Sequence, residues 1–210
     1  MSLTFPNAIF TEKNVDSFSY SFSFYRDNNN YLNDSGIEIK SHADLINADF
    51  SYTINGKYEL IMKCIYNKQS NNEFMLSHKG PYIYLNFNYH LKERIKFPLN
   101  LSMGLNYGES LKYDYNLNNI NLKIYKELNT NFYPMIPFFE YSHNNITYFY
   151  EEKEFSESFS SSTVGILFKL NIIDLNNSLL NDIIWTGITL TNVGKNMYAG
   201  INIGINHHLN

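Results

Sequence analysis

Asp16-Ser17-Phe18-Ser19-Tyr20-Ser21-Phe22-Ser23-Phe24-Tyr25-Arg26 alternates rings and hydroxyls: Phe18, Tyr20, Phe22 and Phe24 share one parity, Ser17, Ser19, Ser21 and Ser23 the other. A period of two is that of a β-strand, whose successive side chains point to opposite faces. The serine face is too polar for a dry core, and the ring face too apolar for water. A strand with these two faces separates a wet interior from lipid, so the reading is an all-β, antiparallel up-and-down transmembrane β-barrel.

The pattern continues outward from this stretch. A second strand is expected from about Gly36 to Ile54, with Ile46, Ala48, Phe50, Tyr52 and Ile54 on one face and Asn47, Asp49, Ser51 and Thr53 on the other. A third carries Tyr58, Leu60, Met62, Cys64 and Tyr66, and Asn55-Gly56 between the two is a strong hairpin signal. Residues paired across a hairpin share a face, and the apolar residues are even-numbered on both strands. The loop must therefore hold an odd number of residues: Asn55, Gly56 and Lys57, pairing Tyr52 with Leu60 and Phe50 with Met62.

The same parity links Ile83, Leu85, Phe87, Tyr89 and Leu91 to Ile95, Phe97, Leu99, Leu101, Met103 and Leu105, predicting a three-residue loop at Lys92-Glu93-Arg94 with Pro98 near the rim. Further strands are expected at about 112–125, 133–143, 160–172, 182–191 and 196–207. A β-bulge at Asn118-Asn119 would join Tyr113/Tyr115/Leu117 to Ile120/Leu122/Ile124. Leu175, Leu179 and Ile183 have helical spacing, so 174–184 offers a short helix as an alternative. The total is about ten strands, within a range of eight to twelve, in one domain spanning 1–210 with an irregular segment at 1–15. An even count places both termini on one side, with connections near 27–35, 68–79, 108–111, 144–159 and 192–195 on the other.

Composition agrees. Charged residues make up 17% of the chain, against about 25% in soluble domains. AT-rich coding can raise the count of 18 Tyr and 16 Phe, but it cannot set their phase. A net charge of -4 with no basic stripe argues against nucleic acid as a partner. Cys64 is the one cysteine, which excludes an internal disulfide. No apolar run approaches the ~18 residues of a helical span. Met1 to Asn7 has neither a basic region nor an apolar core, so no signal peptide is read there; a bacterial outer-membrane barrel must be exported, so the membrane reading expects a chain from which the export signal has been removed.

Near the C-terminus, Met197-Tyr198-Ala199-Gly200-Ile201-Asn202-Ile203-Gly204-Ile205 places a glycine ahead of alternate hydrophobic residues. Gly200, Ile203 and Ile205 resemble the terminal assembly signal of bacterial outer-membrane barrels, although this chain continues through Asn206-His207-His208-Leu209-Asn210 rather than ending in an aromatic. The broader strand pattern resembles small opacity-protein-like barrels. That resemblance implies outer-membrane lipid and the barrel-assembly machinery as partners.

Few residues carry reactive chemistry. His207 and His208 are adjacent and point to opposite faces of a strand, while His42, His78 and His90 lack ligand-spaced partners, so no metal is implied. Glu140, Ser142 and His143 supply the residue types of acyl chemistry and weakly resemble the His-x-Ser-Asn pattern of outer-membrane lipid A deacylases, but in the wrong order and adjacent. Asp49, Glu59, Lys63 and Lys169 are candidates for a mixed-sign lumen network that plugs the barrel. Glu151, Glu152, Glu154 and Glu157 form an acidic outer-loop patch suited to cations or a basic extracellular partner. No phosphate-binding loop or dinucleotide fingerprint occurs, so no cofactor is implied.

The expected role is a structural, surface-binding or slightly permeable barrel acting through its outer loops, and non-enzymatic. The alternatives are an outer-membrane lipid-modifying enzyme, using Ser142 and His143, and a soluble barrel holding an apolar ligand.

Overall fold

The computed structural model describes residues 16–32, 38–71, 82–91, 99–110, 115–128, 134–150, 153–170, 181–193 and 196–209. Ten antiparallel strands close into a barrel in the order β1-β10-β9-β8-β7-β6-β5-β4-β3-β2. They are β1 (Asp16–Leu32), β2 (Glu38–Ile54), β3 (Tyr58–Asn71), β4 (Tyr82–Leu91), β5 (Asn100–Ser110), β6 (Tyr115–Tyr125), β7 (Met135–Tyr150), β8 (Lys153–Leu170), β9 (Asn181–Val193) and β10 (Asn196–Leu209). Each strand pairs with its sequence neighbour, and β1 meets β10 to remove the last edge.

The first hairpin has the predicted register: Tyr52 faces Leu60 and Phe50 faces Met62. Asn55 and Gly56 both take left-handed φ, 52° and 59°, and the Lys57 amide donates to the Ile54 carbonyl at 3.0 Å. Asn and Gly are the residues that tolerate this conformation, which a tight turn between right-twisted strands requires.

The next turn reading is corrected. Leu91 pairs with Leu101, not Ile95, so the β4–β5 connection is longer than Lys92-Glu93-Arg94. Parity survives because the displacement is even, whereas parity cannot count how many residue pairs a loop consumes. Residues 92–98, Pro98 included, lie outside those described, as do 1–15 and the proposed helical positions Leu175 and Leu179. Ile183 belongs to β9.

The bulge at Asn118-Asn119 is absent: β6 runs in unbroken register against both β5 and β7. The change of apolar parity arises because Leu117 faces inward and is fully buried. The region expected as a connection at 144–159 is largely strand. β7 and β8 continue together until Tyr150 pairs with Lys153.

Inside and outside divide by parity. Serines 17, 19, 21 and 23 are buried in the lumen, and Phe18, Phe22 and Phe24 are exposed on the outer wall. Met103 and Leu105 are each 61% exposed, and Leu60, Leu85, Ile120, Ile188 and Ile201 join the same wall. From Ile46 to Ile54 this wall spans about 26 Å along β2 at ~3.3 Å per residue, or roughly 20 Å after strand tilt, close to a lipid core in height. At its edge toward the termini, Tyr58 stacks with Phe87 at 6.3 Å and lies 5.5 Å from Tyr89, as in the aromatic girdles of transmembrane barrels.

Candidate functional site

The lumen is lined by polar and charged side chains that alternate with the wall residues. Three carboxylates (Asp49, Glu59, Glu140), two ammonium groups (Lys63, Lys123) and the His90 imidazole are all buried. Buried charge is costly unless paired, and the strands bring opposite signs together. Lys123 lies 2.8 Å from Glu140, and Lys63 lies 3.7 Å from Asp49. His90 Nε2 is 2.9 Å from Glu59, which also accepts from Asn88 at 3.0 Å. Ser21 donates to Asp49 at 3.4 Å, and Lys123 sits 5.1 Å above the Phe138 ring.

An amide ladder crosses the wall beside these pairs. Asn106 donates to Asn119 at 2.7 Å and Asn119 to Asn144 at 2.6 Å, joining β5, β6 and β7. Across the barrel, Tyr25 donates to Asn202 at 3.1 Å, and the Thr163 and Thr191 hydroxyls are 2.9 Å apart.

Large side chains fill the remaining interior. Tyr25, Tyr84, Phe138, Leu167 and Trp185 all point inward and are buried. Each sits directly across the ladder from a glycine: Tyr25 from Gly200, Tyr84 from Gly108, Phe138 from Gly165, Leu167 from Gly187 and Trp185 from Gly204. A Cβ at any of the five would overlap the side chain opposite. The glycines make space for four rings and one leucine, and these side chains fill the bore.

Asp49, Glu59 and Lys63 sit together in this interior. Lys169 does not: it pairs at 2.7 Å with Glu127 near the end that holds the termini. Sequence reasoning passed over Lys123 and Glu140 as lumen partners and left His90 unassigned. The signal was present, since each is a charged or titratable residue at inward parity within an otherwise alternating strand.

Ser142 faces the lumen and donates to Glu140 at 3.2 Å, whereas His143 lies on the outer wall, 3.4 Å from Ser160. A nucleophile and its base must converge within about 2.6–3.2 Å, so these three residues do not assemble a catalytic array. Among the described residues no group of three or more His, Cys, Asp or Glu is placed to hold a metal.

Glu154 and Glu157 are strand residues of β8, opposite Phe149 and Ile146 near the tip of the β7–β8 ribbon; Glu151 and Glu152 lie outside the described residues. Gly200 accommodates Tyr25, while Ile203 faces outward and Ile205 is half-buried.

An apolar, aromatic-edged wall around a charged and filled interior decides the class. The chain is a closed ten-stranded β-barrel with its apolar face outward. This barrel is inverted relative to a soluble one that holds an apolar ligand, since a continuous apolar wall that includes Phe22, Phe50, Leu60 and Leu105 faces outward while the charged residues face inward. No family model matches the chain, and no curated protein matches it. Among solved structures it is similar to the translocator domain of the autotransporter NalP from Neisseria meningitidis (8% identity, 97% of this chain and 91% of that one, TM-score 0.48). It is also similar to the KdgM porin in complex with disordered oligogalacturonate (9%, 92% and 99%, TM-score 0.42). A third is Ail, the attachment invasion locus protein of Yersinia pestis, in complex with a heparin analogue (9%, 93% and 99%, TM-score 0.35).

Proposed function

We propose that the protein resides in the bacterial outer membrane as a closed barrel and acts at the cell surface, through the strands that project beyond its apolar belt, rather than by conducting solutes. The observation that carries this reading is the filled bore combined with the β7–β8 ribbon. The large side chains that are almost wholly buried, including Trp185, Tyr25, Lys63, Lys123 and Leu117, all point inward. A ten-stranded barrel has little free interior once side chains fill it.

On β7 the apolar outer wall ends near Tyr141, and the strand continues to Tyr150, about nine residues or roughly 30 Å of chain. The ribbon's outward positions become polar, with His143, Asn145, Ser158 and Ser160 exposed. Near its tip β8 carries Glu154 and Glu157, within the acidic stretch that the sequence also gives Glu151 and Glu152, and this acidity suits a basic extracellular partner. The barrel-assembly machinery remains the expected partner for β10.

The test pairs two measurements on the full chain. In planar bilayers it should give small or no conductance. Cells displaying it should adhere to an immobilised basic matrix protein, and adhesion should fall when Thr147–Ser156 is replaced by a two-residue turn, a cut that preserves the Ile146–Glu157 register. Large, stable conductance steps, or undiminished adhesion by the shortened barrel, would overturn the reading.

A further inference from the structure

Two neighbouring rows of outward residues cross β4, β5, β6 and β7 at the edge of the apolar wall. One reads Phe87, Leu105, Ile120, His143, and the next, nearer the projecting end, reads Leu85, Tyr107, Asn118, Asn145. Each begins in the apolar belt and ends among polar side chains, the second row leaving the belt two strands earlier. A groove of about 410 Å³ lies where they cross that edge, within the ~300–1,000 Å³ of small-molecule sites. Leu85, Phe87, Leu105 and Ile120 line one half, and Tyr107, Asn118 and Asn145 the other.

The polar half is neutral, since no charged side chain lines the groove. Asn118 is exposed between Tyr107 on β5 and Asn145 on β7, and its amide offers both an acceptor and two N–H donors. Ser158 donates to Asn145 Oδ1 at 2.6 Å, which engages the Asn145 oxygen and not its N–H donors. Tyr107 donates to Glu109, so its phenol oxygen serves as an acceptor beside an exposed ring. Donors and acceptors therefore alternate along one short row. A sugar hydroxyl, which both donates and accepts, matches that row. A phosphate only accepts and draws its strong binding from cations, which the lining lacks.

We propose that this groove binds one membrane glycolipid with an uncharged sugar headgroup. An acyl chain lies against Leu105 and Ile120, and the sugar hydroxyls meet the Asn118 and Asn145 amides and the Tyr107 phenol oxygen. The occupant is a lipid rather than a soluble sugar because the apolar half of the groove is continuous with the lipid-facing belt, and a sugar alone would leave that half uncovered. The proposal rests on the barrel spanning a membrane.

The test is native mass spectrometry of the full chain in a polyoxyethylene detergent, which carries no sugar. The chain is titrated with glucosyl-diacylglycerol, phosphatidylethanolamine, phosphatidylglycerol and diacylglycerol of identical acyl chains. Retention of the glucosyl lipid should exceed that of the other three by about three- to tenfold, the range of one net uncharged hydrogen bond. Combining Asn118→Ala with Asn145→Ala should lower it to the level of diacylglycerol and leave diacylglycerol itself unchanged. Ile120→Trp, which fills the apolar half from an exposed position, should weaken all four, and free glucose should not displace the bound lipid. Heat-modifiable gel migration verifies that each variant folds. Equal retention of the four lipids, stronger retention of either phospholipid, an undiminished sugar preference in the double variant, or displacement by free glucose overturns the proposal. Failure of the chain to insert into lipid vesicles would instead overturn the membrane reading beneath it.

Discussion

The β2–β3 hairpin and the β6–β7 pair are built by the same rule but expose it unequally. In β2 and β3 the outward residues are Ile46, Phe50, Tyr52, Leu60 and Met62, while Asn47, Asp49, Ser51, Glu59 and Lys63 face in with Leu45, Ile61 and Ile65 buried among them. In β6 and β7 apolar residues lie on both sides: Ile120, Leu122, Phe139 and Tyr141 outside, Leu117, Tyr125, Ile136 and Phe138 inside. Both inward faces mix polar and apolar residues, since β6 and β7 also turn Asn119, Lys123, Glu140 and Ser142 inward, but the second pair adds the bulky rings of Tyr125 and Phe138. Alternation names a face only where the two faces differ in polarity.

The comparison breaks most sharply at the charges. Lys123 on β6 neutralises Glu140 on β7 in the more apolar part of the lumen. Lys123→Met should therefore cost about 3–5 kcal/mol, read by urea unfolding in lipid vesicles, because it strands a buried carboxylate. Replacing both partners with apolar residues should recover most of that loss. A double variant as unstable as the single would show that the pair is not what Lys123 supplies.

A charge on the other side of the wall should cost somewhat less. Phe87→Lys, on the lipid face of β4, should destabilise by about 2–4 kcal/mol, as for a cation near the bilayer midplane. An unchanged midpoint in the same assay would reverse the inside–outside assignment. Smaller again is the overpacking cost of Gly108→Val, about 1–3 kcal/mol, because the new side chain must displace the Tyr84 ring. At the bottom of the scale, His143→Ala on the exposed ribbon should shift stability by less than about 0.5 kcal/mol. It should also leave lipid A acylation, read by mass spectrometry, unchanged, while a lost deacylated product would restore the enzyme reading.

The legible part of the fold follows the same division. Strand number, direction, the Asn55-Gly56 turn and the inward placement of Asp49, Glu59 and Lys63 were all readable, because the outward face of those strands is uniformly apolar and most inward positions are polar. At Leu117 the apolar parity switched, and a bulge was the local way to explain it. The structure instead packs Leu117 within the lumen cluster, a tertiary fact that a single strand does not encode. The five glycines that make room for large inward side chains were unreadable for a related reason. Gly200 and Tyr25 are adjacent only after the barrel closes and β1 meets β10. Lys169 shares the lumen parity of its strand, yet its position near the strand end lets it reach Glu127 instead of the buried network.

The chain's one tryptophan offers the most direct test of the central claim, that lipid surrounds the aromatic wall while side chains fill the bore. Trp185 points into the lumen and is fully buried against Gly204. In vesicles, its fluorescence should resist quenching both by brominated acyl chains and by aqueous acrylamide. A tryptophan moved to the wall, as Leu105→Trp in a Trp185→Phe background, should be quenched strongly by the brominated lipid. Quenching of Trp185 by brominated lipid would contradict the orientation of the strands, and ready quenching by acrylamide would contradict the filled lumen.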